Sequence, residues 1–198
     1  MRRTTMMITN SNKPHRILAP RLVFLIGTIS PNGQQNIIPI TNVTSVSTEP
    51  CQVLVAVYKP WQTCANLLTT EGFTLSLADR SQLELVWKLG AKYSGYDSGQ
   101  VKTEEFRHNL DTAFSTYGPV LKGALGWMEC KIVGRPDSDT SNHQMIVGQC
   151  TKAAVDPHKF TADITPIGTP KPLMQWERNH FSSAETIFSI AYYHDSNL

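Results

Sequence analysis

Residues 35–50 read QNIIPITNVTSVSTEP. Apolar side chains alternate with Asn, Thr and Ser at the two-residue period of a strand, yet Pro39 interrupts the run. Proline has no N–H to give to a sheet ladder, so the run is read as an edge strand that breaks into a loop. Such a strand end frees backbone amides and gathers short hydroxyl side chains. These either form a solvated surface edge or line a pocket for a polar ligand.

Upstream, LVFLIGTI (22–29), the turn signal Pro31-Asn32-Gly33 and the returning QQNIIPI predict a hairpin. Downstream, QVLVAVY (52–58) reads as a third strand. TCANLLTTEG (63–72) follows as a short helix, with Thr63 as its N-cap and Gly72 as its stop. FTLSLAD (73–79) is a fourth strand. A second helix is expected where Ser81 and Glu84 have capping-box spacing, and it closes at Gly90. Residues 91–100 read as a loop, TEEFRHNL (103–110) as a third helix, and WMECKIV (127–133) and MIVGQCTKAAV (145–155) as two further strands. Six strands with helices inserted in no βαβ alternation exclude a doubly wound parallel sheet. A mainly β (α+β) chain forming an antiparallel barrel with attached helices is expected.

The chain of 198 residues is 40% hydrophobic, enough for one well-formed core, so a single domain over 1–198 is expected. Within it, 1–14 reads as an N-terminal arm and 182–198 as a C-terminal extension. No apolar run approaches the roughly 20 residues of a membrane span, and MRRTTMMITN lacks a continuous apolar core. A soluble, cytoplasmic protein without a membrane partner is expected. Net charge is +2 with Lys and Arg scattered, which argues against nucleic acid. Cys51, Cys64, Cys130 and Cys150 make no CxxC, and the six histidines make no HxxxH or HExxH pair, so no metal is expected. The cysteines read as buried or half-buried free thiols. GTISPNG lacks GxGxxG spacing and precedes a strand, so no Gly-rich dinucleotide fingerprint is present.

PRLVFLIGTISPNGQQNIIPITNVTSVSTEPCQVLVAV, followed by TCANLLTTEGFTLSL, resembles the flavin reductase-like family of FMN-binding split barrels, especially its flavoredoxin branch. YSGYDSGQVKTEEF resembles that family's Ser-Gly-x-Asp loop with a Lys-Phe pair. GALGWMECKI and NHQMIVGQC resemble the strands that follow. The likeness runs in order over roughly residues 15–181. It implies a six-stranded, Greek-key split β-barrel that binds FMN. Thr41 stands where the family commonly has Ser, Asn42 where the flavoredoxin branch often has Trp, and Cys51 where it has the second Pro of a pair.

The ligand so implied has a phosphate, a ribityl chain and a flat ring, which ask for donors, hydroxyls and apolar walls in turn. The resemblance places Asn36, Thr41 and Asn42, with Pro39 among them, at the ribityl chain and ring edge, and Thr63 at the phosphate on a helix N-terminus. Asn66 is either a second donor or an exposed first-turn residue. Lys102 is either the phosphate-side lysine or a solvated charge, with Lys59 as its substitute. His143 is expected at the ring or phosphate and not as a general acid. Trp176 or Phe181 either stacks on the ring or closes the barrel or dimer. The resemblance further implies a homodimer that takes hydride from NADH or NADPH and reduces a small-molecule acceptor or a redox partner protein. A non-catalytic electron carrier, or a barrel binding haem or a pyridoxal-type phosphate, is the alternative.

Overall fold

The computed structural model describes residues 12–90 and 105–187. Its strands are β1 (Arg21–Leu22), β2 (Phe24–Ile29), β3 (Gln35–Ile40), β4 (Val43–Thr48), β5 (Cys51–Tyr58), β6 (Gly72–Leu77), β7 (Leu110–Asp111), β8 (Val120–Leu121), β9 (Gly126–Gly134), β10 (His143–Val155), β11 (Leu173–Glu177) and β12 (His180–Ser183). The α-helices are α1 (Gln62–Thr69) and α2 (Leu83–Leu89). Every strand pair is antiparallel. Seven strands form one sheet in the order β3-β2-β6-β9-β10-β5-β4, beside a three-stranded sheet β1-β11-β12 and a ribbon β7-β8. β5 and β6 are consecutive in the chain but separated in the sheet by β9 and β10, the skipping connection of a Greek key, and α1 lies on that crossing.

β3 and β4 are opposite edges of this sheet, yet only Thr41 and Asn42 lie between them. Ile40 and Val43 are three peptide steps apart, so their Cα atoms are within about 11 Å and the sheet must curl until its edges are neighbours. Ala56 N–H donates to the Asn42 carbonyl at 3.0 Å, which ties the link onto β5. The edges are joined by chain and not by a ladder, so the barrel is split, not closed. Pro39 does sit on an edge strand, opposite Leu25 of β2. The expected loop after it is corrected: β-branched VTSVST is extended and pairs with the open side of β5, with a bulge between Ser45 and Ser47. The main sheet therefore has seven strands instead of six.

β2 is apolar on both faces because it serves two cores. Ile26 packs with Val55, Phe73, Leu75 and Ile146 inside the curl, while Val23 and Leu25 pack outside with Val86, Leu89 and Leu173. The hairpin forms as read, with Gly33 at φ +82° where an L side chain would be strained.

The helix ends differ from expectation. Trp61, not Thr63, is the N-cap of α1, because the turn from β5 starts the helix earlier. Its stop is Thr70, whose N–H donates to Asn66 O at 2.9 Å, while Gly72 opens β6. The capping box belongs to Asp79 and Gln82 at a 3-10 turn before α2; Glu84 instead pairs with Lys88 at 3.1 Å. Gly90 ends α2 as expected. Of the expected third helix, residues 103–104 lie outside the described residues, Arg107–Asn109 form a 3-10 turn, and Leu110 already begins β7. The 91–100 loop, residues 1–11 of the arm and 188–198 of the extension also lie outside them. All four cysteines are free; Cys51 is exposed, contrary to expectation, while Cys64 and Cys130 are buried. Among the described residues no cluster suited to a metal is present, and no helix is long and apolar enough to cross a membrane.

Candidate functional site

The split opens a cleft of about 1090 Å³, walled by β3, the β2–β3 turn, α1, α2 and residues of β11 and β12. Among the described residues that line it, none is Lys, Arg, Asp or Glu, and His143 is the one ionisable side chain. Asn36, Pro39, Thr41, Asn42, Thr63, Asn66, His143 and Phe181 all line it. The curl that brings the two sheet edges together gathers residues from β3, α1 and β10, and the small sheet adds Phe181 of β12.

One side is polar and braced. Asn36 Nδ2 donates to Thr63 Oγ1 at 2.7 Å, Gln62 Nε2 to Asn66 Oδ1 at 2.9 Å, and Asn66 Nδ2 to Thr28 Oγ1 at 2.9 Å. Asn66 is 2% exposed, so it is not the exposed first-turn residue that was one expectation. Both ends of its amide are taken, which makes it a brace between α1 and β2. Thr63 Oγ1 accepts from Asn36, so its own O–H is left to donate. The first turn of α1 carries no side-chain cap from Trp61, and Trp61, Gln62 and Thr63 all border the cleft. The partly positive end of the helix thus opens on it.

The other side is aromatic. Phe181 meets Trp87 of α2 edge-on, with centroids 6.2 Å apart at 88°. His143 lies 5.6 Å from the Tyr58 ring, and its Nδ1 is 2.6 Å from Asn142 Oδ1, an atom that only accepts. Nδ1 therefore carries the proton, and burial pushes the imidazole pKa below its ordinary value, leaving Nε2 as a neutral acceptor.

The sequence profile of the Flavin reductase like domain matches residues 16–184. The chain belongs to that family. Its fold matches an FMN-binding protein of Thermus thermophilus crystallised with 1-cyclohex-2-enone (TM-score 0.77, 18% identity, 94% of this chain and 99% of that one). It also matches a split-barrel domain protein of Shewanella frigidimarina (0.74, 15%, 93% and 95%). A third match is the Streptomyces globisporus NADH:FAD oxidoreductase SgcE6, in complex with NAD and FAD fragments (0.63, 16%, 92% and 93%). At these identities the structural likeness carries the fold, a split barrel, and the profile carries the family.

In this flavin reductase-like chain two expected residues stand apart from the cleft. Lys59 Nζ is 2.9 Å from Asp137 Oδ1 and donates to Ser138 O at 3.2 Å, and it is not among the lining residues. Trp176 is 50% exposed and donates through Nε1 to Ser182 Oγ at 3.0 Å. Lys102, with its SGYD loop, lies outside the described residues. Sequence reading missed Trp61, Trp87 and Gln175. Trp87 adjoins the Leu85, Val86 and Leu89 stripe of an amphipathic helix, and an aromatic at the flank of such a stripe is the signal that could have found it.

Proposed function

We propose that the cleft holds FMN and that the protein passes hydride from NADH or NADPH through it to a small-molecule acceptor or redox partner, as a homodimer in the cytoplasm. The observation that carries this is a cleft lined by amides, hydroxyls and aromatic rings, with no acidic side chain among the described lining residues, in a Flavin reductase like domain. That donor set fits the cofactor part by part. The Thr63 hydroxyl and the first turn of α1 would hold the phosphate, with Lys102 as a further candidate. Thr41, Asn42 and the carbonyl end of Asn36 would meet the ribityl chain and ring edge. Trp87 and Phe181 would wall the flat ring and keep water from it, and His143 Nε2 would accept one hydrogen bond. When bound, FMN supplies hydride acceptance and onward electron transfer, while the protein supplies position.

The nicotinamide reading draws support from SgcE6, described with NAD and FAD fragments. A cleft of about 1090 Å³ also exceeds the usual span of single-ligand pockets, up to about 1,000 Å³, and leaves room for a second flat molecule. Free thiols at all four cysteines support a reducing compartment. The test is the visible spectrum of purified protein with and without added FMN, followed by anaerobic titration with NADH and NADPH. Flavin bands that bleach with a nicotinamide are expected. A colourless protein that takes up no FMN would overturn the reading; one that binds FMN but resists both nicotinamides would be an electron carrier.

A further inference from the structure

Three of the four cysteines fall on one row of the main sheet, across β5, β10 and β9. Cys150 of β10 pairs with Cys130 of β9. On its other side β10 pairs with β5 from His143↔Tyr58 to Gln149↔Gln52, and the next step of that register sets Cys150 opposite Cys51. Facing residues of antiparallel strands point to the same side of the sheet. Here that side is the inner one, because Val53, Val55 and Ile146 of the core alternate in phase with Cys51 and Cys150. Exposure falls along the row: Cys51 is exposed, Cys150 half-buried and Cys130 buried.

Cys51 and Cys150 have the geometry of two thiols that can be joined. The Cα atoms of directly opposed residues stand about 4.5–5.5 Å apart, inside the roughly 4.4–6.8 Å that a disulfide spans. Their sulfurs are in hydrogen-bonding contact. The bond from Cys150 Sγ to Lys152 O, at 3.5 Å, is a weak thiol bond. Cys130 is not an equal partner for Cys150. Burial pushes its thiol pKa up to about 12, so at neutral pH it carries almost no thiolate, the form that reacts. Burial, and then Cys51, also raises Cys150, which leaves exposed Cys51 as the point of entry. An accessible thiol with a second thiol beside it is the arrangement of a redox-responsive site. Free thiols at rest agree with it, since disulfides of reducing compartments are transient.

We propose that Cys51 and Cys150 are a modification site that exchanges reversibly with a small-molecule disulfide. The Cys51 thiolate attacks one sulfur of the oxidant, whose S–S bond breaks; a mixed disulfide forms on Cys51, and the first thiol leaves with a proton from solvent. Cys150 gives its proton to solvent and its sulfur attacks Cys51 Sγ, which forms the protein disulfide and releases the second thiol. Two protein thiols are thus oxidised, and one disulfide is reduced to two thiols. Five residue steps of β5 separate Cys51 from Ala56 at the cleft, about 17 Å. The site stands apart from the flavin and does not rest on that reading.

The experiment exposes the protein to oxidised glutathione, alkylates the remaining thiols in denaturant and maps the peptides by mass, for the unmodified chain, Cys51→Ser, Cys150→Ser and Cys130→Ser. The unmodified chain is expected to lose two of its four free thiols to a Cys51–Cys150 link, which dithiothreitol restores. Cys51→Ser should slow the reaction by about ten-fold or more, Cys150→Ser should stop with glutathione held on Cys51, and Cys130→Ser should still form the link. Should a variant fail to fold, the peptide map of the unmodified chain decides alone. An unmodified chain that keeps four free thiols, that stops with glutathione on Cys51, or that joins Cys150 to Cys130 would overturn the proposal. So would a link between the Cys51 residues of two copies.

Discussion

His143 is the one ionisable side chain of the described cleft lining, and the sign of its effect on stability follows from burial alone. Burial beside Tyr58 pushes its folded-state pKa below the roughly 6.5 of an unfolded histidine. Between the two values the unfolded chain binds more protons than the folded one, so stability rises with pH through that window. The contribution is complete above about pH 6.5 and is lost as pH falls through the folded value. Denaturant unfolding from about pH 5 to 8 should therefore show the unmodified chain losing stability on the acid side relative to His143→Gln. Identical pH profiles for the two proteins would show that the ring is neutral for no energetic reason. The same neutrality leaves Nε2 an acceptor at pH 7, so flavin affinity in holoprotein should fall together with stability on acidification.

Helix α1 is held to the barrel by amides as much as by apolar packing. Asn66 is the hub: one end of its side chain takes Gln62 and the other gives to buried Thr28 on β2, and its carbonyl accepts from Thr70. Asn66→Ala leaves the buried Thr28 hydroxyl without its donor, so a loss of about 1–3 kcal/mol is expected, read as a lower urea midpoint at unchanged slope. A change within about 0.5 kcal/mol would mean that water replaces the amide and that the brace is incidental. The elements themselves were mostly legible. The hairpin follows from alternation and Pro31-Asn32-Gly33, and the edge position of β3 from Pro39, since both are local rules. β4 was missed because its pairing depends on an open edge of β5 that becomes its neighbour through the hairpin turn, and VTSVST read alone is as polar as a loop. The α1 cap was misplaced onto Thr63 because hydroxyl chemistry favours caps, whereas here the hydroxyl accepts from Asn36 across the barrel. Asn36, Thr41, Asn42 and Thr63 were found through family resemblance. Gln175 and Trp87 were not, because they reach the cleft only through the docking of the small sheet and α2.

The small sheet has a second face, and the proposed homodimer would assemble through it. Arg21 and Gln175 turn toward the cleft, so by strand alternation their neighbours Leu22 and Trp176 turn away from it. Both are exposed, Trp176 by 50%, and just upstream Ile17 and Leu18 of a 3-10 turn with no buried residue are 88% and 66% exposed. Isolated exposed apolar residues are ordinary, but these four lie close together in the chain or across one strand pair. The proposed homodimer would cover them with the same face of a second copy, the self-complementary arrangement of a two-fold interface. Arg16 and Glu177, an ion pair beside this face, would then lie at its polar rim. Sedimentation velocity should report a dimer, and Leu18→Asp combined with Trp176→Glu should shift it to monomer while leaving the far-ultraviolet circular dichroism unchanged. A monomer in the unmodified chain that still binds FMN tightly would remove this face from the assembly and show that the cleft is complete in one copy. A dimer that survives both substitutions would place the interface elsewhere on the barrel.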